Sequence, residues 1–116
     1  MTTPQNTVVD RLVAAYNAGD VESFLACFAE NARMFRDHDT LACDGREAFR
    51  GFYQPQFDAG AKTEVVARVA VGRHVADQAR VSTPGQADAD YLTLYTVEGD
   101  AIVRVDFLGA EAQVKA

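Results

Sequence analysis

The stretch MFRDHDT, residues 34–40, sets Arg36, Asp37, His38 and Asp39 side by side after an apolar pair. An imidazole between two carboxylates has the parts for proton transfer, and the same groups could contribute to a metal site. The same four residues also make an ordinary solvated turn. The other histidine, His74, follows Gly72 far along the chain, so ligand spacing for a metal is poor and no metal is expected. A second candidate is Asp77 in HVADQARV, where it alternates with Val75, Ala79 and Val81. A carboxylate buried on that apolar face would have a raised pKa and could act as a general base, unless an arginine holds it ionised. The alternative is an exposed position near the sheet edge. Tyr16, Tyr53, Tyr91 and Tyr95 could each donate a phenolic hydrogen bond to a carbonyl or enolate. Each could equally pack with its hydroxyl satisfied inside the protein. No Gly-rich phosphate loop, GxSxG elbow or Cys–His nucleophile pair is present, and no cofactor is expected.

The elements that would position these groups follow from hydrophobic spacing. TVVDRLVAAYNAG carries Val8, Val9, Leu12, Val13 and Tyr16 on one helical stripe, with Gly19 at the place of a C-terminal glycine. Asp20 then caps a second helix, DVESFLACFAE, which turns Val21, Phe24, Leu25 and Phe28 inward. ARMFRDHD reads as a strand and TLAC as a short extended piece. Asp44 and Glu47 have capping-box spacing ahead of a third helix, GREAFRGFY, with Phe49, Phe52 and Tyr53 inward. Pro55 predicts an irregular last turn ending at Gly60.

After residue 60 the period changes. TEVVARVAV, HVADQARVST, DYLTLYTV and AIVRVDFL are four β-rich segments joined by short loops, the pattern of an antiparallel meander. Helices first, a strand between, then a sheet: the class is α+β. Val103, Val105 and Phe107 share one strand face, Arg104 and Asp106 the other. A three-residue loop, EGD, would put Tyr95 with the valines and Phe107. A two-residue Gly99-Asp100 turn would put it with Arg104 and Asp106. VRVDF is thus either a pocket wall or part of a dimer face.

Composition narrows the function classes. The 116 residues suit one domain, and 11 Lys plus Arg against 17 Asp plus Glu give a net charge of -6. With no basic cluster, nucleic acid is not an expected partner. No apolar run approaches a membrane span, and MTTPQNTVVDR has no signal-peptide pattern, so a cytoplasmic protein is expected. Cys27 and Cys43 lack CxxC spacing and read as buried thiols.

YNAGDVESFLACFAENARM, then GREAFRGFY and a closing YTVEGDAIVRVDFL, resemble the SnoaL-like branch of the NTF2-like superfamily over about residues 7–109. That superfamily also contains ketosteroid isomerase, polyketide cyclases and scytalone dehydratase. The resemblance implies a strongly bent, cone-shaped sheet wrapped around three helices, enclosing an apolar pocket. It also implies a homodimer built on the outer sheet face. Ketosteroid isomerases use an aspartate base, with a tyrosine and a protonated aspartate as the oxyanion hole. Matched on AENARMFR, the base falls on Arg36, with Asp37 one position later. Matched on YNAGD, the oxyanion tyrosine falls on Leu12, and the protonated aspartate falls near Thr93. A supporting tyrosine of the third helix survives as Tyr53.

The same match turns Met34 and Arg36 toward the pocket and leaves Asp37 and His38 at its rim. A guanidinium in an apolar cavity is costly unless paired. Arg36 therefore either meets a carboxylate, Asp77 being the candidate, or awaits an anionic ligand. Two functions stay open. One is a cofactor-free isomerase, cyclase or dehydratase acting on a small apolar carbonyl compound. Asp77 would be its base, Arg36 and Tyr53 would stabilise negative charge, and Met34, Tyr16, Tyr95, Val105 and Phe107 would line the pocket. The other is a non-catalytic module that binds a small carbonyl or carboxylate ligand, or a second copy of itself.

Overall fold

In the computed structural model, which describes residues 4–37 and 39–108, helices precede the main sheet as the spacing predicts. The helices are α1 (Pro4–Ala18), α2 (Val21–Leu25) and α3 (Arg46–Asp58). The strands are β1 (Phe28–Arg36), β2 (Thr40–Asp44), β3 (Lys62–Val71), β4 (His74–Ser82), β5 (Ala89–Glu98) and β6 (Ala101–Leu108). They form one sheet in the order β2-β1-β6-β5-β4-β3, antiparallel except where β1 runs parallel to β6. Val8, Val9, Leu12 and Ala15 on α1, with Phe24, Phe28, Met34, Phe49, Ile102 and Val105, make a core between the helices and the inner sheet face.

Two local readings change. The second helix stops at Leu25 rather than running to residue 30. The Ile102 amide donates to the Cys27 carbonyl at 2.9 Å and Phe28 pairs with Ile102, so the sheet takes these residues from the helix. The predicted capping box at α3 is absent. Gly45, at φ +93°, is the N-cap, and Asp44 instead accepts from Arg33 Nε at 3.1 Å. Asp20 does cap α2, accepting from the Ser23 amide at 3.1 Å.

The β5–β6 hairpin combines the two registers considered above. The turn is Gly99-Asp100, since Glu98 pairs with Ala101, but a bulge shifts the ladder between Thr96 and Val97. The extra residue, Val103, restores the phase, so Tyr95 stands opposite Val105 and shares the inner face with Phe107. A bulge in β3 has a similar effect. Up to Val65 the half-buried residues are Thr63 and Val65; beyond the shift between Val65 and Ala67 the inner position belongs to Arg68.

That shift decides the fate of Asp77. It is 1% exposed, on the inner face rather than at an exposed edge position, and its partner is Arg68 rather than Arg36. Arg68 Nε and Nη2 donate to the two carboxylate oxygens at 2.7 and 3.0 Å, while Nη1 reaches Asp10 of α1 at 2.7 Å. Arg36 ends β1 and is exposed; Asp37 then turns with φ +51°. Its strand phase matches Met34, but no inward position is left for it where the strand finishes. His38 lies outside the described residues.

Removing one partner of a buried ion pair strands the other charge in a medium that solvates it poorly. Arg68→Met should therefore cost about 3–5 kcal/mol in denaturant unfolding. The double variant Arg68→Met/Asp77→Leu should recover most of that loss. Arg36→Ala should stay within about 0.5 kcal/mol of wild type, as exposed changes usually do. A large loss for Arg36→Ala would contradict its assignment to the surface.

Candidate active-site cavity

Three elements converge on one cavity. α1 supplies Leu12, Val13 and Tyr16; α3 supplies Tyr53 and Gln56; and the inner sheet face supplies Thr63, Ala79, Val81, Tyr91, Thr93, Tyr95 and Phe107, with Phe24 of α2 behind them. The volume is about 80 Å³. This is several times the roughly 10–15 Å³ that one water needs, space on the scale of a small ligand such as a single ring.

The helices reach these places through their ends. Gly19 takes φ +71° and donates to the Tyr16 carbonyl, while Asp20 donates to Ala15, closing α1 just past Tyr16. Gly60, at φ +77°, and Ala61 close α3 the same way over Phe57 and Gln56. These are the paired bonds of a glycine-terminated helix, and they carry α3 past Pro55 in regular form. Asn17 ties the end of α1 to the sheet edge. Its side chain donates to the Thr63 carbonyl at 3.0 Å and accepts from the Thr63 amide at 2.7 Å.

Aromatic rings shape the walls. Phe24 packs on Tyr53 with ring centres 4.7 Å apart, and Tyr91 stacks on Phe107 at 4.8 Å. Tyr16 donates its hydroxyl to Gln56 Oε1 at 2.8 Å. The hydroxyls of Tyr53 and Tyr91 have no hydrogen-bond partner among the described residues. Burial, then the neighbouring Tyr91, pushes the Tyr16 phenol up to about 12. Burial and then the nearby Tyr95 raise Tyr53 well above the ordinary phenol range. Burial, and after it the Asp77 carboxylate, raise Tyr95. All three are neutral donors at physiological pH.

Among the described residues no Asp, Glu, His, Lys, Arg or Cys lines the cavity. Of the residues expected there, Tyr16, Tyr53, Tyr95 and Phe107 are in the wall. Met34 and Val105 are fully buried in the core and contribute no lining surface, because the helices pack directly over them. Arg36 is outside on the surface. Asp77 lies beneath the floor, beside its cross-strand partner Thr93, with both oxygens taken by Arg68. Leu12, Tyr53 and Thr93, three of the four positions matched to ketosteroid isomerase, do meet in one cavity, but only Tyr53 keeps a group suited to that chemistry.

Arg68, Gln56 and Thr63 were not singled out for the site by sequence reasoning, whereas Tyr91 was among the four candidate phenolic donors and does line the cavity. A signal for Arg68 was present: counting outward from a two-residue Gly72-Arg73 turn pairs Val71 with His74 and hence Arg68 with Asp77. Gln56 had no such signal, because a single glutamine after a proline has no period to place it.

Raised phenol values have a consequence in alkali. Between about pH 10 and 12 the folded chain keeps phenolic protons that the unfolded chain has lost. Their contribution to stability is intact below pH 10 and declines as the pH rises through that window. Thermal midpoints should fall over this range, with tyrosinate absorbance rising as the protein unfolds. Reversible ionisation of Tyr16, Tyr53 and Tyr95 near the ordinary phenol value in folded protein would contradict the burial described here.

Solved structures with this architecture include an uncharacterised cystatin-fold protein from Novosphingobium aromaticivorans, 22% identical, covering 92% of this chain and 98% of that one at a TM-score of 0.79. An NTF2-like protein of unknown function from Cytophaga hutchinsonii is 15% identical, with 100% and 97% covered and a TM-score of 0.76. A computationally designed 17-OHP binder is 15% identical, with 92% and 91% covered and a TM-score of 0.80. These likenesses establish the NTF2-like, cystatin-type fold. None of the curated proteins is a match. The sequence profile of the SnoaL-like domain matches residues 9–105, nearly the whole of the helix-and-sheet unit that builds the cavity. The chain belongs to the SnoaL-like family.

Proposed function

We propose that this protein binds a small, uncharged ring compound bearing a hydrogen-bond acceptor, and does so without acid–base catalysis of its own. The observation that carries this reading is the cavity wall: apolar and phenolic, with no described lining residue that exchanges a proton near neutral pH. Proton abstraction from carbon needs a base within reach of the substrate. Asp77, the base expected from sequence, has both oxygens engaged by Arg68 beneath the floor. The unpartnered hydroxyls of Tyr53 and Tyr91 suit a carbonyl oxygen. A carboxylate ligand would leave water for an apolar site that offers no cation, so the acidic ligands considered from sequence are disfavoured. The computationally designed 17-OHP binder of the same fold supports a binding role for such a cavity.

A screen of neutral single-ring ketones, lactones and aldehydes should give thermal shifts of several degrees at about 100 times the dissociation constant. Carboxylic acids of matched size should give none, and Tyr53→Phe should weaken the response. Shifts confined to the acids would overturn the reading. The readout can be made local, because the chain has no Trp and its four Tyr all line the cavity. Intrinsic tyrosine emission therefore reports on the site itself.

The outer sheet face supports assembly with a second copy. Val69, Val71, Leu92 and Leu94 are exposed there, at 64%, 68%, 46% and 37%. Two of the charges beside them already pair: Arg104 donates twice to Asp106 at 2.8 Å and lies 4.0 Å over the Phe35 ring. Burying that couple strands neither ion. Sedimentation should give a dimer that Leu94→Glu dissociates; a wild-type monomer at high concentration would refute this part of the proposal.

A further inference from the structure

Tyr16 and Gln56 face each other from the last turns of α1 and α3, both closed by left-handed glycines. Their contact is directional. The Tyr16 hydroxyl donates to Gln56 Oε1 at 2.8 Å. A primary amide has an accepting oxygen and a donating NH₂ group, and fixing one end fixes what the other presents. With Oε1 taken, the NH₂ group is the free end, and it has no protein partner among the described residues. The rest of the polar lining is ambivalent by comparison. The hydroxyls of Tyr53, Tyr91 and Thr63 can each donate or accept by rotating one bond, so they cannot tell an accepting ligand from a donating one.

We infer that Gln56 is the specificity-determining residue of the cavity: with its oxygen held by Tyr16 it offers its unpartnered N–H, and so favours ligands carrying an acceptor oxygen over equally sized ligands that can only donate. The inference rests on the binding role proposed above and adds the group that sets its selectivity. Tyr16 acts through Gln56 and is a positioning residue. A site built to donate rejects a donor ligand because two N–H or O–H groups would then be left facing each other, each unsatisfied.

The test uses cyclohexanone as the acceptor probe and phenol as a ring of matched size that donates strongly and accepts weakly. Binding is followed by ligand-observed NMR on the full chain at pH 8. Wild type should favour cyclohexanone. Gln56→Met removes both ends of the amide, and Gln56→Glu keeps the acceptor for Tyr16 but has no N–H. Each should weaken cyclohexanone roughly tenfold, the worth of one hydrogen bond, and Gln56→Glu should gain for phenol. Tyr16→Phe frees the amide to turn over, so the preference should narrow while cyclohexanone binding persists. Wild-type binding with cyclohexanone affinity unchanged in both Gln56 variants overturns the inference and leaves the binding role standing. Wild type that binds neither probe overturns both. Melting curves check that each variant folds; if the Gln56 variants do not, an unchanged preference in Tyr16→Phe overturns the inference instead.

Discussion

Arg68 reaches from the edge strand to two carboxylates at once, Asp77 in the sheet floor and Asp10 on the first helix, and the cavity depends on that span. A helix lying on a sheet tends to settle until its apolar side chains fill the space beneath. Here Arg68 ties α1 to the sheet at one point and Asn17, bonded to both backbone groups of Thr63, ties it near its end. Between these ties the stripe of Leu12, Val13 and Tyr16 faces rings on α2, α3 and β5 that meet at edges rather than interdigitating. Rigid rings leave space where flexible aliphatic chains would close it. The ion pair itself contributes little net stability relative to an apolar substitute, since its attraction is offset by lost hydration. Its effect is on geometry.

The chemistry of the cavity follows from where the charge was put. Among the described residues, the carboxylate buried on the inner sheet face, Asp77, is engaged by its arginine below the floor, and the surface above is phenol, amide, hydroxyl and hydrocarbon. Burial keeps the phenols of Tyr16, Tyr53 and Tyr95 protonated, and the Asp77 charge beneath Tyr95 reinforces this. Such a wall holds a neutral acceptor at modest cost in desolvation, whereas an ion would meet no compensating charge. In the ketosteroid isomerase pattern the base and the oxyanion donors sit around the substrate. Here Leu12 and Thr93 occupy two of those places, and Arg36 has left the third for the surface. The fold keeps the cavity, and among the described residues its lining holds no carboxylate, imidazole or amine.

Most of the fold could be read from the sequence because its strongest signals are periodic. The helical stripe of α1, the closing glycines at 19 and 60 and the four β-rich segments all took their expected places. Asp77 took the inward side, one of the two places left open for it. What escaped was phase. Bulges in β3 and β6 each add one residue, and one residue exchanges the faces of everything beyond it. Alternation carried forward from Thr63 and Val65 would turn Arg68 outward, although the count back from the Gly72-Arg73 turn pairs it with Asp77, and Tyr95 joined Val105 despite a two-residue turn. Arg36 failed for another reason: alternation gives a face but not where the strand or its covering layer stops. Met34 and Val105 point inward as read, yet inward proved to be core rather than cavity, a distinction set by how closely the helices pack.

The most direct measurement is the affinity of the wild-type protein for cyclohexanone as a function of pH. If phenols held protonated by burial, an amide and hydrocarbon make the site, the dissociation constant should be level between about pH 5 and 9, because carboxylates and imidazoles titrate below or within that span and phenols above it. A step or a bell in that interval would reveal a titrating group at the ligand and would contradict the account.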